Sequence, residues 1–260
     1  MGAPAPVASG TCLLVATALV ACGDESNGQG ASTETQPAAA ADSGLPQGAE
    51  RVHLDPANFA TEIDNPYSPM TPGDRRVYRV SDPEGPQQRA VATVTYDSKR
   101  IANGITARVV YTKVFEKGEL IEDNHAWYAQ DERGDVWYLG EKAREFEDGE
   151  VTTTDGSWEA GNDGAQPGVI MAARPRVGLA YREEHYKGVA EDRALVFSLS
   201  ERAEVPFGRF RNVLLIKETE GIERTLLDYK FYARGVGQVL GIEVSAGSGR
   251  EELVSYSPGP

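Results

Sequence analysis

From Val77 onward the chain never sustains a helical period. Short runs of Val, Ile, Tyr, Phe and Thr are cut by Gly, Pro, Asn or Asp, the pattern of strands joined by tight turns. Strands are expected at 76–81, 90–97, 106–115, 124–130, 135–142, 180–186, 194–200, 210–218, 226–233, 238–244 and 252–256. Helical turns are expected only at 56–60 and 169–173. No internal repeat of fixed period is present. The class is therefore all-β. All 21 Phe, Trp and Tyr residues lie beyond residue 50, so the core must be built from residues 51–260. A segment of that length can bury a sizeable core as one domain.

The first fifth of the chain has a different composition. Residues 11–21 form an apolar run, too short to span a bilayer and right for the core of a signal peptide. No Lys or Arg precedes it. It ends in Leu19-Val20-Ala21-Cys22, which resembles the lipobox of bacterial lipoproteins. That resemblance implies cleavage before Cys22, so that 1–22 carries the signal and Cys22 takes the acyl chains. The small Ala21 suits the peptidase pocket. Cys12 would leave with the leader, and the mature domain would hold no free thiol and no disulfide. Residues 23–50 are Gly, Ser, Thr, Gln, Ala and acids, which cannot bury enough apolar surface to fold. They read as a tether with a reach of about 30 Å.

The chain of 260 residues has 40 acidic and 26 basic side chains, a formal net charge of −14. Its pI lies near 4.7. That balance excludes nucleic acid, which selects basic faces, and electrostatic adhesion to an anionic membrane.

The clearest local structure surrounds Trp127. His125-Ala-Trp-Tyr-Ala-Gln130 and Asp135-Val-Trp-Tyr-Leu-Gly-Glu141 flank Asp131-Glu-Arg-Gly134. Gly134 can take a positive φ, so a four-residue hairpin loop is natural. That register pairs Tyr128 with Trp137 and Trp127 with Tyr138. Alternation then places Trp127 and Tyr138 on one face, and Tyr128, Trp137 and Glu141 on the other. Both faces carry aromatics, so cover is expected on both. The segment 153–175, with Trp158, lacks strand alternation and is the candidate cover.

Tyr128-Ala-Gln-Asp131, Gly134-x-Val-Trp-Tyr-x-Gly-Glu141, Gly156-Ser-Trp-Glu159 and Gly164-Ala-x-Pro-Gly168 occur in this order. With Ile63-Asp-Asn-Pro-Tyr67 and Tyr232-Ala-x-Gly-Val-Gly237, they resemble an uncharacterised family of exported bacterial lipoproteins. The layout is loosely similar to open β-barrel envelope lipoproteins, some of which carry lipids or bind envelope partners. The resemblance implies one mainly antiparallel, strongly curved sheet, an open or partly closed barrel, and no established chemistry. Arg234 stands where the last motif would have Pro.

Catalytic signatures are incomplete. H-E-x-x-H is absent, and His53, His125 and His185 are the only imidazoles. His125 with Glu183, Glu184 and His185 could form a metal site, yet Glu183 and Glu184 should point to opposite faces. There is no G-x-S-x-G elbow. Gly235-Val-Gly237 reads as a tight strand connection, not a dinucleotide loop. Asp64-Asn65-Pro66-Tyr67 reads as an Asx-turn, and the acidic run 145–150 as a turn at Asp148-Gly149. Glu141 beside aromatics could have a raised pKa and act as acid or base, or could simply pair with an Arg or cap a backbone N–H.

No metal or other cofactor is expected. Trp127, Tyr128, Trp137, Tyr138, Trp158 and Glu141 form the candidate ligand site, although the same aromatics could fill the core of a curved sheet. The first reading is a non-enzymatic envelope protein, anchored in the bilayer through Cys22, that binds a lipid-like ligand or an envelope protein at this face. A surface hydrolase using carboxylates or a metal, and a purely structural envelope role, are the alternatives.

Overall fold

The computed structural model describes residues 44–82, 85–222, 227–245 and 249–260. The two cysteines, and with them the lipobox, lie outside the described residues. Sixteen strands follow a single 3-10 turn at Pro56–Asn58. They are β1 (Phe59–Ala60), β2 (Arg75–Ser81), β3 (Gln88–Arg100), β4 (Thr106–Glu116), β5 (Glu119–Asp131), β6 (Val136–Glu147), β7 (Glu150–Thr153) and β8 (Trp158–Glu159). Then come β9 (Gln166–Met171), β10 (Ala180–Arg182), β11 (Glu184–His185), β12 (Asp192–Val205), β13 (Gly208–Glu220), β14 (Leu227–Ala233), β15 (Gly237–Glu243) and β16 (Arg250–Ser257).

Every pairing is antiparallel, and most join strands consecutive in the chain. The spatial order is β10-β12-β13-β14-β15-β16-β2-β3-β4-β5-β6-β9-β11. Its two ends, β10 and β11, are separated in the chain by Glu183 alone. The segment 180–185 pairs with β12 through Ala180, Tyr181 and Arg182, then switches to β9 through Glu184 and His185. The sheet thus curls until one segment bridges both margins, giving a nearly closed barrel. Curling of this kind leaves little open edge for other chains to pair with.

The seam is held by the buried Arg182. Its guanidinium donates to the carbonyls of Gly48, of Glu50 at 2.9 Å and of Pro167 at 2.8 Å. The Arg182 amide donates to Pro46 O at 2.7 Å, and Gln47 donates to Ala180 O at 2.7 Å. Residues 44–50, tether by composition, therefore lie against the seam. Leu45 is buried there with the main core of Trp137, Leu139, Val169, Met171, Tyr181 and Ile216. A second core gathers Tyr78, Val80, Val114, Val205, Val213 and Leu253. The β12–β13 turn folds over it, with Phe207 N bonded to Leu253 O at 3.0 Å.

Two expectations about 153–175 are corrected. Residues 169–173 form no helical turn, and the segment is not a cover laid over the sheet. Gln166–Met171 is a strand within the sheet, with Val169 opposite Trp137 and Gly168 opposite Tyr138. A continuous apolar run gives no period by which to tell a buried strand from a helix.

The smaller turn assignments stand. Tyr67 N donates to Asn65 Oδ1 at 3.0 Å, an Asx-turn. Asp148 and Gly149 take φ of 53° and 82° between β6 and β7, and Gly235 and Gly237 take positive φ between β14 and β15.

Candidate functional site

The β5–β6 hairpin closes one residue later than expected. Gln130 stands opposite Val136, Ala129 opposite Trp137 and Tyr128 opposite Tyr138. The Asp131 carboxylate sets this loop. It accepts from Arg133 N at 2.9 Å, Asp135 N at 3.0 Å and Trp137 Nε1 at 3.1 Å. Wrapping three donors around one carboxylate takes the fifth loop residue.

A β-bulge then changes which side chains share a face. Ala126 pairs with Glu141 and Tyr128 with Tyr138, so Leu139 and Gly140 together oppose Trp127. Gly140 takes φ of 126°, and a Cβ there would lie 2.3 Å from Trp158 O. Only glycine permits both the conformation and the approach of β8. The extra residue rotates Glu141 onto the face of Tyr138 and Tyr128, not that of Trp137.

The six expected site residues consequently divide. Tyr128 and Tyr138 stack with centroids 5.0 Å apart, and Trp158 meets Tyr138 edge-on at 5.3 Å. Glu141 joins them. Trp137 lies on the other face, edge-on to Phe59 at 6.2 Å, with its indole spent on Asp131. Trp127 carries the Lys99 ammonium over its ring at 3.5 Å, and Lys99 also pairs with Glu159. Glu159 in turn accepts from Ala102 N at 2.8 Å. A cleft of about 520 Å³ is lined by Trp127, Trp158, Tyr186, Lys99, Glu141 and Glu159, among others. It thus gathers three of the expected residues, and Lys99 and Tyr186 are among those it adds.

Glu141 is 1% exposed. Asn124 donates to its Oε2, while Oε1 has no hydrogen-bond partner. Burial pushes its pKa up to about 8; the Asn124 and Tyr138 contacts oppose that rise, and Glu122 and Asp192 add to it. Behind it lies a cluster that no motif announced. Glu183, Glu184, Asp192, Glu218, Asp228 and Glu251 interact with one another or with Lys230. These groups come from β11, β12, β13, β14, β16 and the seam. Asp192, Glu218 and Asp228 lie on neighbouring strands, but Glu251 of β16 interacts with Glu122 of β5 and Lys230 of β14 with Tyr128 of β5, relations that run across the barrel, so the cluster lines its lumen.

Glu218 and Lys230 form an ion pair. Burial lowers the affinity of Lys230 for its proton, but Glu218 and the other acids outweigh it, and its pKa is raised. One ammonium cannot balance so many carboxylates in low dielectric, so the others are pushed toward the neutral form. Burial is the largest cause for each: Asp192 and Glu251 both rise to about 8. Glu183 and Glu184 rise well above the usual carboxylate range. The expectation that these two neighbours face opposite sides is corrected. Both are buried, because the segment changes partners at Glu183 and breaks its alternation there.

His125 stays apart from this cluster. His125 stacks on Tyr111 at 4.0 Å and contacts Asp123 at 3.2 Å, on the face opposite Asn124. Burial lowers its pKa. Among the described residues no group of three or more His, Cys, Asp and Glu side chains is arranged to hold a metal ion.

No family model matches the chain, and no curated protein matches it. A solved structure described as a "putative lipoprotein" from Parabacteroides distasonis is similar to it at 11% identity and a TM-score of 0.39, covering 74% of this chain and 98% of that one.

Proposed function

We propose that the chain is an exported, lipid-anchored protein of the bacterial cell envelope whose barrel domain binds an amphiphilic ligand in the Trp127–Trp158 cleft. The observation that carries the ligand reading is the cleft itself. Apolar ring surface from Trp127, Trp158 and Tyr186 stands beside polar groups of Ser157, Glu159 and Lys99 in a space of about 520 Å³. Such a mixture suits a molecule with an apolar body and a polar end. Anchoring rests on the apolar run 11–21 followed by Leu19-Val20-Ala21-Cys22 and on the resemblance to exported lipoproteins. Trp137 has a supporting role in this scheme: it locks the hairpin through Asp131.

Native mass spectrometry before and after organic extraction tests the ligand reading. A co-purified mass lost on extraction, and lost in Trp158→Ala, is the expected result. A bare polypeptide mass from a folded wild-type preparation would count against it. Anchoring is tested separately: Cys22→Ser should move the protein from the membrane to the soluble fraction, and continued retention would refute the anchor.

A further inference from the structure

We infer that the cleft selects a cationic amphiphile, an alkylammonium whose charged end is received at Glu141, with the buried Glu184 behind it. This deepens the reading above and rests on it. Three observations converge. First, Glu141 and Glu184 are each 1% exposed, yet Glu141 Oε1 and both oxygens of Glu184 lack a hydrogen bond of ordinary geometry, with Tyr138 and Trp158 as weaker donors beside them. Leaving a buried acceptor unmade is costly, and an ammonium supplies three donors. Second, the chain already shows the chemistry at the same cleft. Lys99 lays its ammonium on the Trp127 ring at 3.5 Å and pairs with Glu159. Trp158 lines the cleft and packs on Tyr138, so a second ammonium would meet ring faces of the same kind. Third, Lys230 is committed to Glu218 and Lys99 to Glu159, and no ion pair among the described residues reaches Glu141 or Glu184.

The groups facing Glu141 are Asn124 and Glu122 from β5, Tyr138 on its own strand, Glu184 from β11 and Asp192 from β12. Burial first, and these acids second, keep the proton on the carboxyl at neutral pH. Binding an ammonium would reverse that: the carboxyl ionises, its proton goes to buffer, and the ammonium keeps all of its own. An anionic or neutral ligand would release no proton.

The test uses the full chain carrying Cys22→Ser, with octylammonium, octanol and octyl sulfate as probes below their aggregation concentrations. Calorimetric titration near neutral pH in two buffers of different ionisation enthalpy reads affinity and proton release together. Octylammonium should bind at least tenfold more tightly than the other two, releasing up to one proton per ligand. Glu141→Gln, nearly isosteric with the neutral acid, should lose at least tenfold in octylammonium affinity and lose the proton release, with octanol affinity unchanged. Should that variant fail to fold, Glu184→Gln is read by the same two measures. Equal binding of octylammonium and octanol, or full octylammonium affinity in the Gln variants, would overturn the inference while leaving the cleft an amphiphile site. Failure of all three probes would overturn it too, and the co-purified mass then decides the broader reading alone.

Discussion

Raising the pH from about 5 to about 9 should lower the melting temperature by about 10 °C or more. The reason is the lumen. Glu141, Asp192 and Glu251 have pKa values pushed up to about 8 in the folded chain, and burial raises Glu183 and Glu184 as well. Unfolded, these groups return to ordinary carboxylate values near 4. Between the two values the folded state holds more protons, so stability falls as pH rises. The stabilising contribution is fully present below about pH 4, fades from there to about 8, and is gone above that. For one carboxyl as buried as Glu141 a shift of this size corresponds to about 5 kcal/mol. At this domain size each kcal/mol moves the midpoint by about 2–4 °C. The contributions are coupled and do not add, and half-buried Asp192 counts for less. Glu50 is shifted the opposite way but is exposed, so it does not reverse the trend. Glu141→Gln or Glu251→Gln should flatten the slope and raise the midpoint at alkaline pH. A midpoint that holds or climbs between the two pH values would mean that the lumen acids ionise freely in the folded chain.

Gly168→Ala should loosen the seam. A Cβ on Gly168 would lie 2.3 Å from both the carbonyl carbon and oxygen of Glu183, and 2.5 Å from Arg182 O. Those atoms belong to the segment that bridges the two margins, so they cannot rotate aside as a side-chain tip would. The φ of Gly168 is not in the left-handed region, so the cost is steric alone. Overpacking of this kind costs about 1–3 kcal/mol, and the rigid backbone here sets the upper end, about 6–12 °C. Amide exchange at Arg182 and Glu184 should quicken more than exchange in β4 or β5, because the closing strand gives way first. Gly208→Ala serves as the control: its φ is also unexceptional and nothing lies within 4 Å of the added methyl. Equal melting points for the two variants would show that the margins are not held at Gly168.

Legibility differs sharply along the chain. The β12–β13 and β14–β15 strands are read well because alternation and turn residues are both local. The hairpin at Gly134 was legible as a hairpin but not in register, since the Asp131 carboxylate gathers donors from Arg133, Asp135 and Trp137 and adds a residue to the loop. The bulge at Leu139 and Gly140 was not legible. Gly140 looks like any strand glycine until Trp158 O sits against it. That bulge decides which aromatics accompany Glu141, so the expected set of six divides between the two faces of the sheet.

By itself the sequence determined the all-β class, the positions of the long strands though not the ends of β5, β6 and β12 or the existence of β9, and the aromatic hairpin with its acidic neighbour. Those come from side-chain alternation and from residues that tolerate turns, both properties of short windows. The tertiary structure alone decided that polar strand faces such as Asp228 and Lys230 look into a lumen. A strand such as Leu227–Ala233 alternates in the same way whether its polar face meets water or the interior of a barrel. Closure of the sheet through Arg182, Glu183 and Glu184 makes the choice, and it converts carboxylates that would be fully charged in water into a buried, proton-holding cluster behind the cleft.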